Sequence, residues 1–178
     1  MKKYLSISNI ISTILLIGAL YFIYDYTFNR EPKFIVGEEA PDFKAKKPDG
    51  STLKLSDYEG KLVLLDFWGT WCGPCVQEIP ALVQVYDKYK DTQFGDANGF
   101  EILAVAMDKD KDRWMKTIEN RGMNWEGHVS DLKRMRGVVG SLYRIREIPT
   151  KYLLNENGVI ISVNPTVQEL DMILAKKM

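Results

Sequence analysis

Apolar positions along the 178-residue chain fall into three kinds of pattern, each predicting a different element. From Tyr4 to Tyr24 no residue is charged and Ile and Leu occur on every side. At ~1.5 Å per residue a helix over that run reaches ~30 Å, the thickness of a hydrocarbon core. Leu62 to Phe67 and Ile102 to Met107 are apolar without alternation, as strands buried on both faces are. Helical spacing marks three more stretches. One runs from the two cysteines to about Tyr89 through Leu82, Val85, Tyr86 and Tyr89. Another covers about Asp110 to Arg121, with Trp114, Met115 and Ile118 on one side, and a last amphipathic helix holds Val167, Leu170, Ile173 and Leu174.

Turn residues punctuate these runs. Asp49-Gly50 is a turn beside alternating Leu53 and Leu55, and Ser56-Asp57-Tyr58-Glu59 before Gly60 reads as a short helical turn. Asn98-Gly99 closes a loop, and Pro80 is expected to kink its helix. Lys151 to Leu154 and Val159 to Val163 are strands joined by Asn155-Glu156-Asn157-Gly158, a hairpin signal. Gly122 to Ile148 is less regular, with a helical patch near Val138 to Tyr143. Strand, helix and strand in succession predict a right-handed parallel crossover. The expected fold is α/β, a central mixed sheet with helices on both faces, preceded by one N-terminal transmembrane helix. The expected division is an anchor over 1–28, a linker over 29–36 and one domain over 37–178, and the stretch from Phe28 to Pro41, with Pro32, Gly37 and Pro41, reads as a tether leading into the domain.

A cleaved signal peptide would share the basic start and apolar run, but no small-x-small site follows Ala19, so an uncleaved anchor is the reading. Tyr4, Tyr21, Tyr24 and Tyr26 suit the two interfaces. Lys2 and Lys3 precede the span, and Asp25, Arg30, Glu31 and Lys33 follow it. The positive-inside bias then keeps the N-terminus cytoplasmic and exports the domain into an oxidising compartment. Lys and Arg number 24, as do Asp and Glu, so no basic field is present to gather nucleic acid.

Cys72 and Cys75 are the two cysteines, too close together to staple a fold. They sit where a buried strand gives way to a helix. Unpaired N–H groups and the helix dipole there favour a thiolate, so Cys72 is expected to ionise somewhere in the ~3.5 to 7.5 range of such sites. It would attack a disulfide, and Cys75 would resolve the mixed disulfide. Gly73 gives backbone access and Pro74 suits the first helical turn. A zinc site would need more ligands than these two and His128 provide, and a permanent structural disulfide gains little from so small a loop. Asp66, inside an apolar strand, is expected to hold its proton more tightly than usual and act as acceptor, unless it is an exposed strand-end residue. Glu78, three residues after Cys75, shares its helix face or is a solvated helix charge. His128 reads as a surface or satisfied histidine.

Gly37-Glu38-Glu39-Ala40-Pro41-Asp42-Phe43, then Asp49-Gly50 and Leu55 to Lys61, lead to Trp68-Gly69-Thr70-Trp71-Cys72-Gly73-Pro74-Cys75, with Glu78, Pro80 and a distant Ile148-Pro149-Thr150. With these the chain from about Gly37 to its end resembles thioredoxin-like proteins, specifically the membrane-anchored TlpA/ResA type of thiol-disulfide oxidoreductase within the AhpC/TSA-like superfamily. The resemblance implies Cys72 as attacking thiol, Cys75 as resolving thiol and Glu78 as active-site acid. Asp66 matches the buried acid of cytosolic thioredoxins. A cis Pro149, with Ile148, Trp71, Gly73 and Pro74, is implied to grip substrate. It implies no cofactor beyond the redox-active disulfide. It also implies reduction of exported proteins' disulfides, such as those of apocytochromes awaiting haem, on the periplasmic side of a bacterial inner membrane, with electrons from an upstream membrane dithiol donor. Two rivals remain. A peroxiredoxin-like peroxidase would want Thr-x-x-Cys, whereas Thr70 stands two before Cys72, and a copper-binding assembly factor would want a longer cysteine spacer and a nearby histidine.

Overall fold

The computed structural model describes residues 7–28 and 32–178, in two compact units, Met1–Glu31 and Pro32–Met178. Lys2, Lys3, Tyr4, Arg30 and Glu31, on which the reading of anchor flanks and orientation drew, lie outside the described residues, as does part of the linker. In the first unit helix α1 (Ile7–Phe28) carries an apolar stretch, Ile7–Tyr26, long enough to cross a membrane. Thr13 turns its hydroxyl inward to the Asn9 carbonyl at 2.8 Å, which satisfies it without water.

The second unit runs β1 (Lys44–Lys46), β2 (Thr52–Lys54), a 3₁₀ turn (Leu55–Tyr58), β3 (Leu62–Trp68), α2 (Gly73–Tyr89), β4 (Gln93–Phe94), β5 (Ala97–Asn98), β6 (Phe100–Ala106), α3 (Lys111–Asn120), β7 (Gly127–Val129), α4 (Val138–Leu142), β8 (Thr150–Leu154), β9 (Ile160–Val163) and α5 (Val167–Lys177). Its central sheet has the order β7-β6-β3-β8-β9, with β3, β6 and β7 parallel and β8 antiparallel to both neighbours. This is the mixed sheet flanked by helices that the apolar runs predict.

Period-two alternation divides β3 between two cores. Leu62, Leu64 and Trp68 face α2, α3 and α5, where Ile79, Leu82, Trp114, Leu170 and Leu174 are buried. Val63, Leu65 and Phe67 face the other way, toward Phe43, Ala45, Leu55, Val139 and Tyr143. The crossovers β3-α2-β6 and β6-α3-β7 step in the same direction, so right-handedness puts both helices on one face. The β1–β2 hairpin, the 3₁₀ turn and α4 cover the second. There Tyr143 packs edge-on to Phe34 and Phe43, with ring centroids 5.3 and 5.9 Å away, and donates its hydroxyl to the Pro41 carbonyl at 2.8 Å.

Several elements differ from the sequence reading. Trp114 is buried whereas Met115 is exposed, because consecutive helical residues point about 100° apart; Trp114 and Ile118 share the inner face. Pro80, where a kink is expected, lies inside a helix α2 assigned from Gly73 to Tyr89, with Ile79 and Leu82 buried in the helix-side core. The stretch read as irregular contains β7, three residues long and too short to show a period. Gly127 permits its pairing, since a Cβ there would stand 2.3 Å from the Ile102 carbonyl oxygen.

Gly127→Ala should therefore lower the urea midpoint, at a cost of about 2 kcal/mol from overpacking against backbone. Gly73→Ala, whose Cβ would meet nothing within 4 Å, should leave it within about 0.5 kcal/mol. Equal midpoints for the two variants would refute this account of β7.

Candidate functional site

Strand β3 ends at Trp68, and three residues later the chain enters α2 with Cys72 as its N-cap, in extended conformation. A cap normally offers a side-chain oxygen to a free N–H of the first turn. Here sulfur fills that place, and the Cys75 N–H donates to Cys72 Sγ at 3.2 Å. Cys72 and Cys75 are joined by a disulfide and are both buried, while Gly73 and Pro74 between them are exposed. Only one side of the pair is open to an approaching chain.

The loop before the cysteines is clamped. Thr70 donates its N–H at 3.0 Å and its hydroxyl at 2.6 Å to the buried Asp108 carboxylate, and Arg113 donates to the Thr70 carbonyl at 3.1 Å. Trp71 donates its indole N–H to the Met107 carbonyl at 2.7 Å, and the Arg134 guanidinium lies 5.1 Å from its ring centroid. Gly69 lets the indole approach, since a Cβ there would lie 2.9 Å from Trp71 Nε1. Thr70 belongs to the motif visible in the sequence, whereas Asp108, Arg113 and Arg134 carry no motif there. A signal for Asp108 existed: pairing the two apolar runs in register sets Trp68 against Ala106, and two residues further on Thr70 and Asp108 follow.

Behind the dithiol Asp66 is buried on the α2 face of β3, not exposed at a strand end. Its ladder neighbours are Ala104 on β6 and Lys151 on β8. Lys151 is also buried, and its ammonium pairs with the Glu78 carboxylate of α2. Glu78 is thus an ion-paired, half-buried acid and not merely a solvated helix charge. Asp66 Oδ1 has no hydrogen-bond partner. Burial pushes the Asp66 carboxyl up to about 7; the Lys151 charge pulls it down and the Glu78 charge pushes it up. Lys151 escaped the sequence reading because it begins a strand, where a lysine is usually solvated.

The Ile148–Pro149 bond is cis, and the Ile148 carbonyl oxygen lies 3.6 Å from Cys72 Sγ. Pro74 and Pro149 border a groove of about 490 Å³ that continues past Glu78 and Lys151 to Asn164 and Thr166. Of the residues expected to meet a substrate, Pro74 and Pro149 border this groove with Glu78, Ile148 lies against Cys72, and Trp71 and Gly73 flank Cys72 along the chain. His128 is elsewhere, on β7, and is buried, so of the two placements read for it the surface one does not hold. Its ring stacks on Trp125 at 5.3 Å, Nε2 lies 3.1 Å from the Met123 carbonyl, and Nδ1 has no partner. Burial pushes it down to about 4. Among the described residues no group of three His, Cys, Asp or Glu could hold a metal ion.

The raised Asp66 value sets a pH dependence. Between the unfolded value of 3.8 and the folded value of about 7, the folded chain holds a proton that the unfolded chain has lost. Stability from this group is therefore complete near pH 4, is lost as pH rises toward 7 and stays lost above. Asp66→Asn removes that loss, and relative to the parent protein it should gain about 2–4 kcal/mol between pH 4 and pH 8. Thermal melts of both proteins across that range check the sign; a gap that does not widen with pH would contradict it.

The AhpC/TSA family pattern matches residues 36–163. Over 162 residues the chain is 32% identical to the thiol-disulfide oxidoreductase ResA of Bacillus thuringiensis subsp. konkukian, covering 90% of this chain and 88% of that protein. It is 35% identical over 147 residues to ResA of Geobacillus kaustophilus, covering 83% and 79%. Among solved structures, the thioredoxin domain of a Bacteroides vulgatus thiol-disulfide oxidoreductase superposes with a TM-score of 0.71 at 29% identity, covering 81% of this chain and 98% of that one. A dithiol capping a helix beside a cis-proline, on this sheet and with these relatives, places the chain in the AhpC/TSA family, as a thioredoxin-fold thiol-disulfide oxidoreductase with a Cys72–Cys75 pair.

Proposed function

We propose that the protein is a reductant of disulfides in exported proteins, apocytochromes awaiting haem among them, held by α1 on the extracytoplasmic side of a bacterial inner membrane. The observation that carries the direction is the group of acids behind the dithiol. A site becomes oxidising when it stabilises its reduced thiolate. Here one N–H and the start of α2 favour a thiolate, whereas the Asp66, Glu78 and Lys151 group carries one net negative charge behind the dithiol once Asp66 ionises, and disfavours it. The disulfide state is then the better accommodated one, and electrons pass outward. The ResA relatives support the same reading, and the apolar length of α1 supports the anchor.

In the reaction, the Cys72 thiolate attacks one sulfur of the substrate disulfide. That S–S bond breaks, a Cys72–substrate disulfide forms, and the departing thiolate takes a proton from water. Cys75 gives its thiol proton to Asp66, and the resulting thiolate attacks Cys72 Sγ. The Cys72–Cys75 bond forms and the second substrate thiolate leaves. Two electrons have moved to the substrate, and an upstream membrane dithiol must return two. Trp71, Gly73, Pro74, Ile148 and Pro149 border the dithiol and would hold the substrate backbone. A peroxidase is disfavoured by Thr70, whose hydroxyl is committed to Asp108 and so does not face a peroxide.

Cys75→Ser should leave Cys72 able to attack but unable to be resolved, so mixed disulfides accumulate in cells and resolve on non-reducing gels. Trapped proteins bearing export signals are expected; cytosolic ones would overturn the compartment, and none at all, with Cys72 still open to alkylation, would overturn substrate exchange. Equilibration with glutathione at pH 7 should give a potential at or below about −220 mV, whereas a value near about −120 mV, that of a strong oxidant, would reverse the direction.

A further inference from the structure

Lys151 occupies a position that packing alone would give to an apolar residue. It faces α2 from β8, as Leu153 does two residues later, and Leu153 is fully buried in the helix-side core. A buried ammonium costs several kcal/mol unless it is partnered, so a leucine here would pack without that cost. The two acids around it come from different elements. Glu78 descends from α2 and forms the ion pair, and Asp66 stands directly opposite in the β3–β8 ladder. From β6 the neighbour of Asp66 is the uncharged Ala104, and α2 otherwise brings the Cys75 thiol to this face.

We propose that Lys151 is the positioning residue of the exchange site: one cation shared between a sealed acid and a groove-facing acid decides where the proton taken from Cys75 resides. The inference rests on the reading of Asp66 as acceptor of that proton. With Lys151 committed to Glu78, an ionised Asp66 leaves one net negative charge in a closed pocket, so Asp66 keeps its proton until the pair rearranges. The unpartnered Oδ1 of Asp66 fits a carboxyl group still able to accept one more hydrogen bond. Glu78 and Lys151 line the groove whereas Asp66 is 4% exposed, so a proton deposited on Asp66 reaches water past the pair. The opposing influences on the Asp66 carboxyl, lowered by Lys151 and raised by Glu78, agree with this arrangement.

Opposite substitutions should therefore act in opposite directions. The reduced protein reacts with dithionitrobenzoate in two phases, release of the first thionitrobenzoate by Cys72 and of the second by Cys75, both followed by absorbance. Lys151→Met should move the pH midpoint of the second phase up by about one unit and slow it roughly tenfold at pH 7. Glu78→Gln frees Lys151 for Asp66 and should move the midpoint down. In an Asp66→Asn background neither substitution should move it. Midpoints that coincide with the parent protein, or that shift in the same direction, would overturn the proposal and leave the pair structural. If Lys151→Met does not fold, Glu78→Gln with and without Asp66→Asn decides alone, since lack of a downward shift overturns it. Absence of the first phase in the parent protein would instead defeat the exchange reading itself.

Discussion

Strand β3 is sealed along its whole length: all seven residues from Leu62 to Trp68 are buried, between one core made with α2, α3 and α5 and another made with the β1–β2 hairpin and α4. A strand with no exposed face can offer chemistry only at its end, and the chain leaves it toward the N-terminus of α2. The unpaired amides of that helix need a cap, and Cys72 supplies it. The capping position of Cys72 is thus a consequence of how the sheet hands over to the helix. The same sealing makes Asp66, the one charged residue of β3, a problem that the surroundings must answer.

Two answers fix the site from either side. On the β6 side the ladder continues past the strand as Thr70 and Asp108, so the loop carrying Trp71 is tied down by hydrogen bonds of 2.6 to 3.0 Å before the cysteines begin. On the β8 side Lys151 and the Glu78 carboxylate bring α2 and the sheet together beneath the groove. The dithiol therefore sits on a rigid mount with one open approach, bordered by Pro74, Ile148 and Pro149. Rigidity of this kind suits exchange, because an attacking sulfur must meet the disulfide in line.

The parts legible in the sequence were those written by runs and motifs. Unbroken apolar stretches located β3 and β6, helical spacing located α2, α3 and α5, and Asn155 to Gly158 located the last hairpin. Cys72, Cys75 and the Ile148–Pro149 pair were legible through the motif they share with a family. What escaped depends on registry between distant segments. Lys151 meets Asp66 only because β8 is antiparallel to β3 with that pairing, and Asp108 meets Thr70 only because β6 is parallel to it. Short strands escaped for a different reason: β7 has three residues, and its place is secured by the absence of a Cβ at Gly127.

Charge balance connects these features to direction of electron flow. A helix N-terminus alone would hold the Cys72 thiolate and make the reduced state comfortable, which is the character of an oxidant. The buried Asp66 carboxylate works against it, and Lys151 makes that charge possible, since without that cation Asp66 would hold its proton more tightly and contribute no charge. On that reading the poise of the pair depends on Asp66, Glu78 and Lys151 together as well as on the helix start. On the reductant reading, two electrons leave with each turnover into a compartment that does not return them. On that same reading an apolar helix such as α1, long enough to cross a membrane, would have a second use, since electrons would have to be delivered to the dithiol from a donor in that membrane.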